Sequence, residues 1–299
     1  MTASSEGRSW ESTMRSVVSV SLLLAIACSS TTPVGPVDSG SFPLQCFEPL
    51  DGGVFLAGLP AIAPGCNASA DAGVFDLAAL GWSLKGGVLV VPPSTPGAPV
   101  PVVVVFHGAG STGESAREAF GLEGPADGGA IFVYPNAARG TWDIRPASTD
   151  GRKVDRLLRQ LSDSYCIDPR RVFAAGFSAG AVFTLYLGCN VPGTFRAFGV
   201  VAGTDDRFDT RCCSGPLSAV LVHGTTDSVI AYGGGMGAFA NIAIRDQCRF
   251  DSSVKDGTNC TLYPSCGTGR VTEWCSWVGN HEVPTWAGDT LWQFFSTAP

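Results

Sequence analysis

Histidine is scarce in this chain of 299 residues: there are three, His107, His223 and His281, against eleven cysteines. Charge is scarce as well, at 15% of residues, with a net charge of −7 and no basic run. A chain so poor in clustered positive charge lacks the footprint of a nucleic-acid or anionic-membrane binder. No C-x-x-C spacing occurs and few histidines are on hand, so no metal site is expected. What the chain does have is apolar material, 45% of residues, enough for one sizeable core.

The N-terminus reads as an export signal. Arg15 precedes an apolar-rich run, Val17 to Ala27, that ends in small residues and Cys28. That run is too short for the roughly 20 apolar residues a membrane span needs. The stretch from Met14 forms a complete signal by itself. Ala25-Ile26-Ala27-Cys28 resembles a lipoprotein box, which would put a lipid on Cys28, although the family of such boxes prefers Leu where Ala25 stands. A plain secretory signal is the alternative. With Cys28 set aside, ten cysteines remain, enough for five disulfides and no free thiol in an oxidising compartment. Their connectivity does not follow from the sequence.

Residues 1–28 are thus expected to be signal and 29–45, rich in Ser, Pro and Gly, a flexible tether. Residues 46–299 are expected to form one catalytic domain. Apolar, β-branched runs occur at Val88–Val91, Val102–Phe106, Ile131–Tyr134, Val172–Phe177, Ala197–Ala202, Ala219–His223 and Val271–Trp277. Continuous apolarity predicts strands buried on both faces, as in a parallel sheet. Helices are predicted between them at Glu114–Phe120, Lys153–Tyr165, Ala179–Leu187, Met236–Arg245 and Trp286–Phe295. The alternation implies an α/β fold with a mostly parallel central sheet and helices on both faces.

Gly176-Phe177-Ser178-Ala179-Gly180 lies where a buried strand gives way to a helix. The glycines permit a sharp turn that presents Ser178 at the helix N-terminus in a strained conformation. A nucleophilic serine needs a base, and in the α/β-hydrolase order Ser…Asp…His the base comes last. His281 alone follows every candidate acid. The acid is expected after the strand Ala219–His223, at Asp227, with Asp205 and Asp206 left as alternatives. The oxyanion donors are expected to be the N–H groups of Ala179 and, after Val102–Phe106, of Ala109. Neither a cofactor nor a metal enters such chemistry.

Several ordered motifs resemble the family-one carbohydrate esterases, a group of feruloyl esterases, acetylxylan esterases and polyhydroxybutyrate depolymerase-like enzymes. They are Phe106-His107-Gly108, Ile131–Pro135, Tyr165–Phe173 running into the elbow and Leu187-Gly188-Cys189, then His223–Asp227 and Gly279–Pro284. The resemblance implies a serine esterase acting on an ester, polymeric in these families, such as a feruloylated or acetylated polysaccharide or a polyester. Asn280 and Ala181 stand where the family usually has glycine. Asn280 is expected to take the positive φ that glycine would, and Ala181 to matter little. Only sixteen residues separate Ala202 from Ala219. No large lid is therefore expected, and Trp142, Trp277 and Trp286 are candidates both for the cleft and for the core. A serine peptidase or a non-catalytic binding module on the same fold stays open. The expected molecule is an exported monomer.

Overall fold

The computed structural model describes residues 59–67, 71–80, 86–93 and 97–299, apart from 146–147, 192, 209, 214 and 258. The expected signal and tether lie outside the described residues, as do Cys28 and Cys46. One sheet runs in the order β1-β2-β4-β3-β5-β6-β7-β10-β9-β8. Its strands are β1 (Gly73–Asp76), β2 (Gly87–Val91), β3 (Val100–Phe106), β4 (Ile131–Pro135), β5 (Ile167–Phe177), β6 (Ala197–Val201), β7 (Ala219–Gly224), β8 (Val254–Asp256), β9 (Cys260–Tyr263) and β10 (Thr272–Trp277). The helices are α1 (Gly113–Phe120), α2 (Glu123–Ala126), α3 (Thr149–Ser164), α4 (Ala179–Asn190), α5 (Tyr232–Arg245) and α6 (Ala287–Thr297).

Strands β4, β3, β5, β6, β7 and β10 are mutually parallel. This is the mostly parallel sheet that the apolar runs predict. β2 is a correction: it pairs antiparallel with β4, Val88 opposite Tyr134. Its apolarity reports an inner position in the sheet, not a strand direction. The edges are antiparallel on both sides, with β1 on β2 and the β9–β8 pair beyond β10.

Alternate residues of the central strands face two layers. Val103, Val105, Phe173, Ala175, Val220 and Val222 pack with Phe120 of α1 and with Leu291, Phe294 and Phe295 of α6. On the opposite face, Phe183 of α4 meets Phe106 edge-on at 4.9 Å, and Phe239 of α5 meets Trp274 at 5.4 Å. Burial of each such aromatic stabilises the fold by about 1.5–3 kcal/mol. Helix α3 begins four residues before the predicted Lys153, because the Ser148 hydroxyl accepts the Gly151 N–H at 2.9 Å and caps it there. Its stripe Val154, Leu157, Leu158 and Leu161 is buried. Between β6 and β7 the described residues form only a 3-10 turn, Thr210–Cys212, and no lid helix.

Disulfides join Cys66 to Cys166, Cys189 to Cys213, Cys248 to Cys266 and Cys260 to Cys275. Such a density of bridges places the protein in an oxidising, extracytoplasmic compartment. Cys260, Glu273 and Cys275 are the one cluster of metal-ligand type among the described residues, but its two sulfurs are bonded to each other. Glu273 sits beside that bridge, 2% exposed, and its Oε1 has no hydrogen-bond partner. Burial, with Asp256 nearby, pushes its carboxyl up to about 8.

Two predictions follow from the bridges and the buried carboxyl. These four bridges use eight of the ten cysteines after Cys28, and the five disulfides expected from the cysteine count would pair the other two, Cys46 and Cys212, so a chain starting at Ser29 should titrate with no free thiol. Non-reducing peptide mapping should recover Cys46 linked to Cys212, and two free thiols per chain would overturn the five-bridge reading. The folded state holds the Glu273 proton more tightly than the unfolded chain does. Its stabilising effect is therefore complete below the ordinary glutamate range and is lost as pH rises towards about 8. Glu273→Gln should raise the melting temperature at pH 9 and leave it nearly unchanged at pH 4, read by calorimetry.

Candidate active site

Ser178 stands at the tightest point of the backbone. A Cβ on Gly176 would lie 2.3 Å from the Gly180 carbonyl carbon, and one on Gly180 would lie 2.1 Å from the Phe106 carbonyl oxygen. Only glycine fits at either position, and β5 therefore turns into α4 within a single residue. Ser178 takes the strain, at φ 54° and ψ −119°. Its N–H is tied to the Val201 carbonyl at 3.0 Å, and its own carbonyl accepts the Val182 N–H at 3.0 Å. The hydroxyl emerges half-buried at the carboxyl end of the sheet, where open α/β sheets bind ligands.

The Ser178 hydroxyl donates to His281 Nε2 at 2.8 Å, and His281 Nδ1–H donates to Asp227 Oδ2 at 2.8 Å. These three residues arrive from loops after β5, β10 and β7, 54 and 103 positions apart along the chain. The Asp227 side chain is fully enclosed. Burial alone would raise its pKa. The His281 bond and the Val229 and Ile230 N–H groups, at 2.8 and 2.9 Å on Oδ1, outweigh that and hold it below the ordinary carboxylate range. Asp227 is therefore charged and aimed.

The two loops that carry Asp227 and His281 are zipped together. Thr225 N–H reaches the Trp277 carbonyl at 2.8 Å and Thr226 N–H the Gly279 carbonyl at 3.1 Å. At Gly224 a Cβ would stand 2.4 Å from the Gly279 oxygen, so the approach itself demands glycine. Asn280 is a correction: its φ is not among the positive ones, and its side chain is used instead. Its Oδ1 accepts from His281 N–H at 2.8 Å and from the N–H and hydroxyl of Ser228 at 2.9 and 3.0 Å.

Ala179 is the first residue of α4, directly after Ser178, and Ala109 lies in the loop after β3. That loop is built around His107, which is 1% exposed. Its Nδ1–H donates to the Gly108 carbonyl at 2.7 Å, and its Nε2 accepts the Ala137 N–H at 3.0 Å. The Gly110 N–H is fixed to Gly140 at 2.7 Å. Trp142 is 5% exposed and donates Nε1–H to the His107 carbonyl at 2.8 Å, so it belongs to the core that supports this loop. Trp277 and Trp286 are half-buried, edge to face at 6.5 Å, and the Trp277 ring packs over Gly279.

The remaining candidates are accounted for by other contacts. Asp205 is engaged by the Thr210 hydroxyl at 2.6 Å and Asn241 at 2.9 Å, away from His281. His223 donates Nε2–H to the Ile230 carbonyl at 2.9 Å and lies 3.4 Å from Asp227 Oδ2. Burial lowers its pKa against the pull of Asp227 and keeps the ring neutral. The sequence does not reveal the supporting roles of His107, His223 and Asn280, and its one signal for two of them is His-Gly at the end of a strand, at 107 and 223.

No protein-family model matches the chain. Among curated proteins, probable feruloyl esterase C of Aspergillus flavus is 30% identical over 205 residues, covering 62% of this chain and 72% of that protein. Feruloyl esterase C of Emericella nidulans is 29% identical over 202 residues, with the same coverage, 62% and 72%. A bifunctional acetylxylan esterase/xylanase of Neocallimastix patriciarum is 27% identical over 208 residues, 66% of this chain and 31% of that one. Among solved structures, an acetyl xylan esterase from Aspergillus awamori superposes with a TM-score of 0.59 at 17% identity, covering 75% of this chain and 99% of that one. An S-formylglutathione hydrolase from Agrobacterium tumefaciens gives 0.53 at 15%, covering 76% and 95%. The last two share the α/β-hydrolase fold, and the sequence likeness goes further: the chain belongs to the feruloyl esterase-like family of serine esterases and is a carboxylic ester hydrolase.

Proposed function

We propose that this esterase acts through Ser178, His281 and Asp227 and removes feruloyl or acetyl groups from plant polysaccharides. The observation that carries the reading is the continuous chain of 2.8 Å contacts from Ser178 Oγ through the imidazole to Asp227. In the first half-reaction Ser178 Oγ attacks the ester carbonyl while His281 Nε2 takes its proton. The carbonyl oxygen becomes an oxyanion held by the N–H groups of Ala179 and Ala109. Each such donor is worth about 3 kcal/mol of transition-state stabilisation. The imidazolium, stabilised by the Asp227 carboxylate, then protonates the departing sugar alkoxide. Water, activated by the same imidazole, releases the acid from the acyl-enzyme and restores Ser178.

The polysaccharide ester is favoured because the similar proteins include feruloyl and acetylxylan esterases. The short β6–β7 connection, without a lid helix among its described residues, suits a bond on a polymer. We assign residues 46–299 to the catalytic domain, working as a monomer. The lipoprotein-like Cys28 would tether it, by its lipid and the segment 29–45, at the cell envelope. Cys28→Ser should release the protein from membranes, and continued anchoring would overturn that assignment.

Ser178→Ala should lose on the order of a million-fold in kcat on p-nitrophenyl acetate with its melting temperature kept. Asp227→Asn should lose about ten-thousand-fold, because the imidazole is no longer held in the right tautomer. Residual Ser178→Ala turnover within tenfold of wild type would overturn the nucleophile. Purified enzyme should hydrolyse methyl ferulate or acetylated xylan well above hydroxybutyrate oligomers and the matching aryl amides. A preference for the oligomers would move the assignment to a polyester hydrolase.

A further inference from the structure

The Asn280 side chain has a task that glycine at this position could not perform. The backbone zipper between the acid and histidine loops ends at Thr226 and Gly279. Asp227 and His281 lie just past it. Besides the Asp227–His281 bond itself, the hydrogen bonds across this last step converge on one atom, Asn280 Oδ1. It takes the N–H and the hydroxyl of Ser228 from the acid loop and the N–H of His281 from its own loop. Three donors on one carboxamide oxygen clamp the residue after the acid to the base. Asn280 is exposed, so packing does not explain the carboxamide.

We propose that Asn280 is a positioning residue that fixes the distance and orientation between Asp227 and His281. The proposal rests on the triad reading above. Without the clamp, Ser228 and the His281 backbone would turn to water, and the imidazole would spend part of its time out of line with Ser178. The expected cost falls on turnover, since misaligned proton transfer slows attack without weakening ester binding. The groups facing His281 are Asp227, with neutral His223 behind it at 3.4 Å, the Ser178 hydroxyl, and the Phe177 ring at 4.8 Å. Glu282, exposed, is its neighbour in the chain. A carboxylate at position 280 would keep the acceptor oxygen and add negative charge to this set.

The test uses Asn280→Ala, Asn280→Gly and Asn280→Asp in the full chain, with kcat and KM on p-nitrophenyl acetate from pH 5 to 10. Asn280→Ala and Asn280→Gly should lower kcat about tenfold and move KM by less than about twofold. Asn280→Asp should recover kcat to within about threefold of wild type at alkaline pH, and the acid limb of its kcat/KM profile should move to higher pH. Ser228→Ala should cause a smaller loss and none further in the Asn280→Ala background. Full kcat in Asn280→Ala would overturn the proposal, and so would an Asn280→Asp profile that is neither rescued nor shifted. Should Asn280→Ala fail to fold, the Asn280→Asp profile decides alone: an upward shift supports the clamp and an unshifted one rejects it. A wild-type enzyme whose activity survives Ser178→Ala would instead overturn the triad reading on which the clamp rests.

Discussion

The turn from β5 into α4 leaves no room for a side chain at Gly176 or Gly180, and that crowding sets where everything else in the site must come. Two backbones pass within van der Waals distance at Phe106 and Gly180, which locks β3 against α4. Ser178 has no φ left but a positive one. The strain is of order 1–3 kcal/mol and is tolerated because the surrounding sheet over-determines it. Gly108 follows from the same constraint, since a Cβ there would press on Phe177 at 3.1 Å. The loop after β3 can therefore lie directly against Ser178.

Electrostatics completes what sterics begins. Asp227 is enclosed and charged, a combination that is costly unless the carboxylate is fully hydrogen-bonded. Both its oxygens are bonded: Oδ1 by two backbone N–H groups, Oδ2 by the imidazole that it orients. A second histidine, His223, also lies near Asp227, 3.4 Å from its Oδ2. Its Nε2–H is committed to Ile230, and a Cβ on Gly235 would touch its Nδ1 at 2.1 Å, so the ring is walled in and 1% exposed. Among the three histidines, His281 alone joins a buried carboxylate to a reachable hydroxyl.

The parts of this molecule that could be read from its residues are those where one local rule dominates. Continuous β-branched runs mark the central strands, and glycine spacing marks the elbow. What could not be read depends on partners distant in the chain. β1 and β8 are short edge strands, with Val74 and Val254 exposed, so they carry no run of buried residues to detect, and β9, though mostly buried, is only four residues long. The direction of β2 is set by which neighbour it meets, not by its own residues. Asn280 misled for a similar reason. A residue replacing glycine suggests backbone conformation, whereas here the substitution supplies an acceptor two of whose three donors, both on Ser228, lie 52 residues away. Disulfide connectivity is equally non-local, with Cys66 and Cys166 separated by 100 positions.

Those edge elements nevertheless bear on the placement of His281, through the strand that precedes it. β10 is parallel to β7 on one side, and this register aligns Gly224 with Trp277 and so brings the acid and histidine loops together. On its other side the sheet would end there, were it not for β9. The Cys260–Cys275 bridge bonds those two strands covalently, and Cys248–Cys266 fastens the preceding segment to the end of α5. Closing loops of 15 and 18 residues restricts the unfolded chain by about 3 kcal/mol each in the chain-entropy account. Cys275 lies six residues before His281 and pairs opposite Val222, one residue before His223. The covalent edge therefore keeps β10 from fraying away from β7, and the Asp227–His281 geometry inherits its rigidity from the strands at the edge of the sheet.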